Sequence, residues 1–540
     1  MLVAQVLSYP MGKSMALILP SRSFLLRGGR WRFSLNPGPF TIKEHCIIAV
    51  MANTASGISL AIQVITIQRV FYNHSLNYVL ALLFVLSSQT LGYGMAGVMR
   101  RYVVWPVAMI WPSNLINCAM FRAFNNEDND EVEMNSNEVI TVSRKMSRSR
   151  FFYLMLFFQI LWYWIPGYIC PILSAFSLIC YINSNNVVLS QLTSVNGLGL
   201  GSFQLDWNAW VSFLDSPIVV PFWAQLNILV GFVVLVWIIT PTVYYLNLWN
   251  SKAMPIVSNR LFTVEGYYYN ISAVLDSNLR LNETAYNLHG PLRITAIFAF
   301  NYGVGFAAVT CILVHTILND GALMPWYMLF LAVTMGFIFL LPNAIMTAIA
   351  NVTMGLNVIT EFVAGLIIPG DPIANVTFKT YSYITQVQGP VKMFGPKSIY
   401  WPLLFGFLIG AILPIPVWLL RKQYPQIRWI RYVHFPIILS ATGLIPPAPP
   451  GEYFSWLIIG FIFNFVIFHY AHAWWQRYAF VFSAAMSCGV AICALIIFFL
   501  LTNNNISFPT WWGTGGITGD GCPLASANFS GILPRYKPSL

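Results

Sequence analysis

Long apolar runs separated by short polar stretches dominate the chain. Runs long enough to cross a roughly 30 Å hydrocarbon core lie near 46–67, 77–98, 102–120, 151–183, 217–248, 292–318, 323–350, 399–420, 454–470 and 478–501. Shorter ones lie at 3–20, 354–369 and 434–448. None alternates with the period of two that barrel strands require, so the pattern predicts an all-α bundle of about a dozen membrane segments. The run through 151–216 fits one long helix or two short crossings.

Several runs are broken by proline and glycine. WYWIPGYICP interrupts 151–183 at Pro166-Gly167, ILPIPVW breaks 399–420, and GLIPPAPPG ends 434–448. Each proline removes a helix donor and frees carbonyls at membrane depth. Irregular backbone there must pack on protein or line a cavity. The breaks read either as simple kinks or as the discontinuous helices of a transport site.

Composition points the same way. Of 540 residues 57% are hydrophobic and only 8% charged, against roughly 25% charged in soluble domains. The net charge of +11 gathers in the loops Arg22 to Arg32, Arg144 to Arg150 and Arg421 to Arg431. That distribution fits the positive-inside rule, not a nucleic-acid surface. SRKMSRSR, RKQYPQIRWIR and HAWWQRY are thus expected on the cytoplasmic face, with 434–448 and 454–470 both crossing between the last two. The 250–291 loop, with the sequons Asn270-Ile-Ser and Asn282-Glu-Thr, counts to the outside. Residues 122–150, including the acidic NNEDNDEVEMNSNE, read as a disordered cytoplasmic loop, and 502–540 as a polar tail of a single transporter domain. No cleavable signal peptide is evident, and the start LVAQVLSYPMGK reads as the end of a span. The eight cysteines form no CxxC pair; Cys522 alone sits in a polar tail, with no obvious disulfide partner.

Enzyme chemistry finds little support. The seven histidines form no HxxxH or HExxH pair, and no carboxylate accompanies His469 and His472. No metal or other cofactor is called for. Gly197, Gly199 and Gly201 resemble part of a phosphate loop, but without a βαβ context they read as a turn or a close-packing element.

Intramembrane polar groups are more informative, because burying them is costly unless pairing or function offsets it. Glu361 is the sole charge between Asp320 and Asp371 and suits a proton carrier or an inert, satisfied acid. Asn357 lies one turn before it on the same face. His315 is a second titratable candidate, equally readable as a core histidine. Asp206, after the glycine turn, reads as a site acid or an exposed loop acid. At the mouth of the 46–67 run, Lys43, Glu44 and His45 follow the turn Asn36-Pro37-Gly38. They read as a helix cap at the headgroups or as an ionic relay. Asn36, Asn114, Tyr168, Asn185, Asn186 and Asn357 offer hydrogen bonds to a peptide backbone, or else tie helices together. Lys43 is suited to a peptide carboxylate and Glu361 to its amine.

Taken in order, several blocks resemble the oligopeptide transporter family. SLNPGPFTIKEH is similar to its Asn-Pro-Gly hallmark. RRYVVWPVAMIWPSNL, WYWIPGYICPILSAFSLICYI, MGLNVITEFVAGLIIPGDPIANVTFKTYSYIT, PTWWGTGG and DGCPLA follow. They look like the peptide branch rather than the metal-chelate branch. The resemblance implies proton-coupled import of short peptides, tetra- and pentapeptides with glutathione among the candidates, by a multi-pass protein of the plasma membrane. Its partners would be peptide, protons and the lipid bilayer; oligomeric state is not legible. Two internal departures stand out. The family's loop and further helix after the LVHTILNDG block are missing, and so is its Lys-Ile-Pro-Pro-Arg stretch after Lys379. A breach in the bundle is therefore expected near Gly321-Ala322 and Gln388-Gly389, with weak or absent activity. The competing readings are a truncated, non-transporting paralogue or assembly partner, and a channel.

Overall fold

The computed structural model describes residues 2–56 apart from 22, 27–30, 35 and 37; 61–62, 65–66, 69, 77–105 and 111–125; 146–318 apart from 184–185, 195–196, 259 and 275–281; and 393–514 apart from 397 and 446–447. The runs at 323–350 and 354–369, both junctions, most of the acidic loop and Cys522 lie outside these residues.

The described architecture is helical. The longer helices are α1 (Leu2–Ile18), α2 (Ile42–Ser56), α3 (Tyr78–Val103), α4 (Ser113–Asn125), α5 (Arg148–Trp164), α6 (Phe222–Phe232), α7 (Ala296–Leu318), α8 (Phe405–Ile412), α9 (Pro414–Gln423), α10 (Pro450–Phe461) and α11 (His472–Leu500). Among the described residues, six stretches are long and apolar enough to cross a membrane: Arg148–Ile169, Phe222–Tyr245, Ala296–Leu318, Trp401–Gln423, Pro450–Tyr470 and His472–Asn504. α4 extends to Asn125 and α5 begins at Arg148, so both ends of the 122–150 stretch are helical.

Three features depart from the plain pattern. Strands Ser23–Leu26 and Trp31–Ser34 pair antiparallel in the first basic loop, where short local pairing satisfies backbone that no helix could use. The run at 434–448 is a six-residue helix, Phe435–Ser440, followed by turns to Ile445. Gly443 and the prolines that follow stop it after about 9 Å of rise. Lastly, α5 continues as a π-helix over Ile165–Ile169 and then breaks into a 3₁₀ turn at Pro171–Ser174. The 151–183 run is thus one span plus an irregular exit.

Small residues set the closest helix contacts. Gly406 and Gly410 of α8 face Gly303 and Ala307 of α7. A Cβ on Gly406 would lie 2.2 Å from the Gly303 oxygen, and one on Gly410 1.9 Å from the Ala307 oxygen. Thr310 Oγ1 donates across the same seam to the Phe407 carbonyl at 2.7 Å. Such small-xxx-small seams drive packing in lipid, where apolar side chains gain nothing by leaving the solvent. α5 packs on α11 through Phe151, Phe152, Tyr478, Ala484 and Ala485.

Candidate functional site

The polar interior is built by the irregular chain between α5 and α6. Pro171, Gly197, Gly199, Gly201, Pro217 and Pro221 deny it a continuous helix. It runs instead as Leu178–Ile182, Val187–Thr193, a glycine turn and Trp207–Val211. Gly199 and Gly201 take φ of +66° and +72°, conformations that glycine enters at no steric cost. Gly199 also abuts α10 so closely that a Cβ would sit 2.4 Å from the Gly451 Cα. The three glycines therefore make a turn and a contact surface.

Irregular backbone at this depth has to find partners, and side chains from the spans Phe222–Tyr245, Pro450–Tyr470 and His472–Asn504 supply them. Gln225 Nε2 donates to the Pro217 carbonyl at 2.6 Å, and Asn464 Nδ2 donates to Pro217 and Val220 at 2.9 and 2.8 Å. Trp237 Nε1 reaches the Leu198 carbonyl at 2.8 Å and Trp456 Nε1 the Asp215 carbonyl at 2.9 Å. The Gln204 amide donates to Ser455 Oγ at 2.9 Å. Ser483 Oγ bonds Ser216 Oγ at 2.7 Å, and Trp207 Nε1 bonds Ser487 Oγ at 3.0 Å. Gln191 joins Tyr244 and Tyr245.

Some polar atoms in this interior remain unused. Gln204 Oε1, Gln225 Oε1, Asn464 Oδ1 and the Tyr453 hydroxyl are buried without a hydrogen-bond partner. Three amide acceptors and a phenol in a protein interior are suited to the amides of a peptide or to water. No group of three His, Cys, Asp or Glu side chains among the described residues could hold a metal ion. Two carboxylates share the region. Asp206, 3% exposed, caps the Trp207–Val211 helix. It accepts from the Asn208 amide and Ser174 Oγ, both at 3.0 Å. Burial pushes its carboxyl above the ordinary range, and those donors oppose the shift. Glu452, 8% exposed, accepts from Ser212 Oγ at 3.3 Å.

The sequence-predicted residues fall in several places. Asn36 donates to the Ala16 and Leu19 carbonyls at 2.7 and 2.9 Å, closing the C-terminal end of α1. It also lines an open pocket of about 600 Å³ with Lys13, Leu17, Ser34 and Phe40. Lys43 is exposed on the first turn of α2. Glu44 caps the start of α2, accepting from the Thr41 amide at 2.8 Å and from its hydroxyl. The hydroxyl contact is the main cause of its lowered pKa. His45 is fully buried, bonded to the Gln5 carbonyl and to Asn125, each at 3.0 Å. Burial lowers its pKa.

Asn114 is exposed and accepts from Asn117 Nδ2 at 3.5 Å. Tyr168 OH donates to the Ile506 carbonyl at 3.2 Å, with its ring against Phe508. Asn186 is exposed and caps Val187–Thr193 through the Leu189 amide. His315 lies beside His434, ring centroids 4.7 Å apart and planes tilted by 59°, and lines a small pocket that includes Arg421. Asn185, Asn357 and Glu361 lie outside the described residues. Asn36, Lys43, Glu44 and His45 thus sit together around the start of α2, while Tyr168, Asn186 and His315 belong to other regions. Sequence reasoning passed over Gln204, Gln225, Asn464 and Glu452. Gln225 and Asn464 carry a usable signal, since each is an amide inside an apolar run.

The OPT oligopeptide transporter protein family matches the chain in three pieces, residues 1–324, 319–394 and 388–501. The chain is 32% identical to oligopeptide transporter 4 of Arabidopsis thaliana, covering 97% of the chain and 91% of that protein. It is 32% identical to oligopeptide transporter 2, covering 97% and 88%, and 31% identical to oligopeptide transporter 7, covering 99% and 85%, both from the same plant. The alignment to transporter 7 extends over 669 positions against a chain of 540 residues, so that relative carries segments this chain lacks. The family match breaks at 319–324 and 388–394, where the two sequence departures lie. No solved structure matches the chain.

Proposed function

The chain belongs to the OPT oligopeptide transporter family, whose members are multi-pass membrane transporters and not enzymes, and we propose that it is a proton-coupled symporter importing short oligopeptides across the plasma membrane. The observation that carries this reading is 31–32% identity along nearly the whole chain to proteins named oligopeptide transporters. The interior between α5, α6, α10 and α11 supports it. Its broken helices and unused amide acceptors suit a substrate that is itself a chain of amides. Tetra- and pentapeptides are the proposed substrates, with glutathione among them. Lys43 is proposed to meet a peptide carboxylate, and Glu361 to carry the coupled proton.

Purified chain in vesicles should accumulate a labelled tetrapeptide when the outside is acidified. Glu361→Gln should abolish that accumulation. A channel would equilibrate the peptide without concentrating it.

A second reading is favoured by the breaks in the family match at 319–324 and 388–394. Here the chain is a shortened, non-transporting paralogue or assembly partner. Vesicles that neither accumulate nor equilibrate the peptide would establish it.

A further inference from the structure

Glu452 is a buried acid at the start of a membrane span. It lies in the first turn of α10, 8% exposed. α10 packs on α6 and on the Trp207–Val211 helix. The titratable groups that face Glu452 are Asp206 from the chain before that short helix and Tyr453 beside it on α10. Both are acids. Among the described residues no lysine, arginine or histidine offsets its charge. An ionised carboxylate in such a place loses its hydration with no cation to replace it.

The hydrogen bonds around it suit the neutral acid. Ser212 Oγ lies 3.3 Å from Glu452 Oε2 and 3.4 Å from the Ala209 carbonyl. A hydroxyl has one proton to give. If Glu452 is ionised, that proton goes to the carboxylate and the Ala209 carbonyl loses it. If Glu452 is protonated, its O–H donates to Ser212 Oγ, and the serine proton goes on to Ala209. Asp206 differs, because two short donors already serve its oxygens.

The same contact belongs to a docking seam. The Gly197–Asp215 stretch docks on the first two turns of α10 at four further points. These are Gly199 on Gly451, Ser202 Oγ to the Gly451 carbonyl at 3.5 Å, the Gln204 amide to Ser455, and Trp456 Nε1 to the Asp215 carbonyl. Among these links Glu452–Ser212 alone has a side chain that titrates.

We propose that Glu452 is a proton-carrying acid of the transport cycle, which holds its proton while buried against Ser212 and releases it to water when the Gly197–Asp215 stretch parts from α10. This rests on the proton-coupled reading above. The step is a plain ionisation: the Oε–H bond breaks, the proton leaves to water, and the carboxylate stays behind, hydrated.

Two measurements on the full chain test it. Infrared difference spectra at neutral pH should show a protonated-acid carbonyl band that Glu452→Gln removes and Glu452→Asp shifts. In vesicles, Glu452→Gln should keep peptide exchange between two pools yet lose accumulation driven by a pH gradient. Glu452→Asp should restore accumulation with a displaced pH profile. A protonated-acid band unchanged in both variants, or wild-type accumulation in Glu452→Gln, would overturn the proposal. Failure of the wild-type chain to accumulate peptide would sink proton-coupled transport instead, and the infrared comparison would still decide where this proton sits.

Discussion

His45 Nδ1 takes a hydrogen bond from Asn125 Nδ2 at 3.0 Å, which leaves the opposite ring nitrogen to donate to the Gln5 carbonyl at 3.0 Å. One neutral imidazole thereby joins α1, α2 and α4, ringed by Tyr9, Phe40, Phe121 and Phe124. The tautomer follows from the bonding pattern. Burial holds the folded-state pKa of His45 below its ordinary value, so between the folded and unfolded pKa values the unfolded chain binds more protons. Its contribution to stability is full above the unfolded pKa of about 6.5 and declines as pH falls through that window. The unfolding temperature in detergent should therefore drop between about pH 7.5 and about pH 5, and His45→Gln should flatten that slope. Equal slopes in the two proteins would remove His45 as the cause.

The α7–α8 seam leaves no room for a larger residue. Gly406→Val and Gly410→Val should each lower stability by roughly 1–3 kcal/mol, the usual range for overpacking. Gly305, with open space around its Cβ direction, is the control. Gly305→Ala should leave the melting profile unchanged. Thermal unfolding followed by size-exclusion chromatography reads the difference. Similar losses at Gly305 and Gly406 would mean that the seam is not the close contact described.

Gly199→Ala should be among the most damaging small changes. The residue sits at φ +66°, and a Cβ would strike α10 at Gly451. Positive φ alone costs an alanine about 1 kcal/mol or more, and the collision adds to it. A protein with wild-type stability and uptake would show that the glycine turn can move off α10 without consequence.

Asn282 allows topology and capping to be separated. Its side chain accepts from the Thr284 and Ala285 amides at the start of Glu283–His289. Asn282→Ala and Thr284→Ala both destroy the sequon. Only Asn282→Ala removes the cap, at a cost of about 1 kcal/mol. If the 250–291 loop faces outside, both variants should lose the same glycan-dependent gel shift in a eukaryotic host. No shift in the wild type, with Asn270 also unmodified, would argue that the loop faces the cytoplasm.

The spans were legible because they rest on local physics. Twenty apolar residues in a row leave few alternatives in lipid, and the ends of 292–318 and 399–420 fall within four residues of the helices seen. Pro166-Gly167 marked the place where α5 turns π-helical, but the break itself comes at Pro171, where the 3₁₀ turn begins. Glu452 was not legible. It stands in PPAPPGEY, which reads as a loop, and only Ser212, 240 residues earlier in the chain, reveals its burial. The π-helical stretches Val233–Ile239 and Ile462–Ile467 also escaped notice. Pro241 follows the first at the second residue of the next turn, whereas no proline marks the second. The cap formed by Glu44 was expected, and the relay reading beside it was equally open. In the structure Glu44 turns back to Thr41 while His45 turns inward to the Gln5 carbonyl.

The seam between Gly303 and Gly406 also sets an order of assembly. The two glycines lie about a hundred residues apart in the chain. At about 5–20 residues per second, α7 leaves the ribosome roughly 5–20 s before its partner exists. Throughout that interval its small-residue face must rest against lipid, another helix or the insertion machinery. A ribosomal pause before α8, or a shortage of helpers that shield such faces in the bilayer, would reduce the yield of correctly paired protein without altering any contact in the finished bundle.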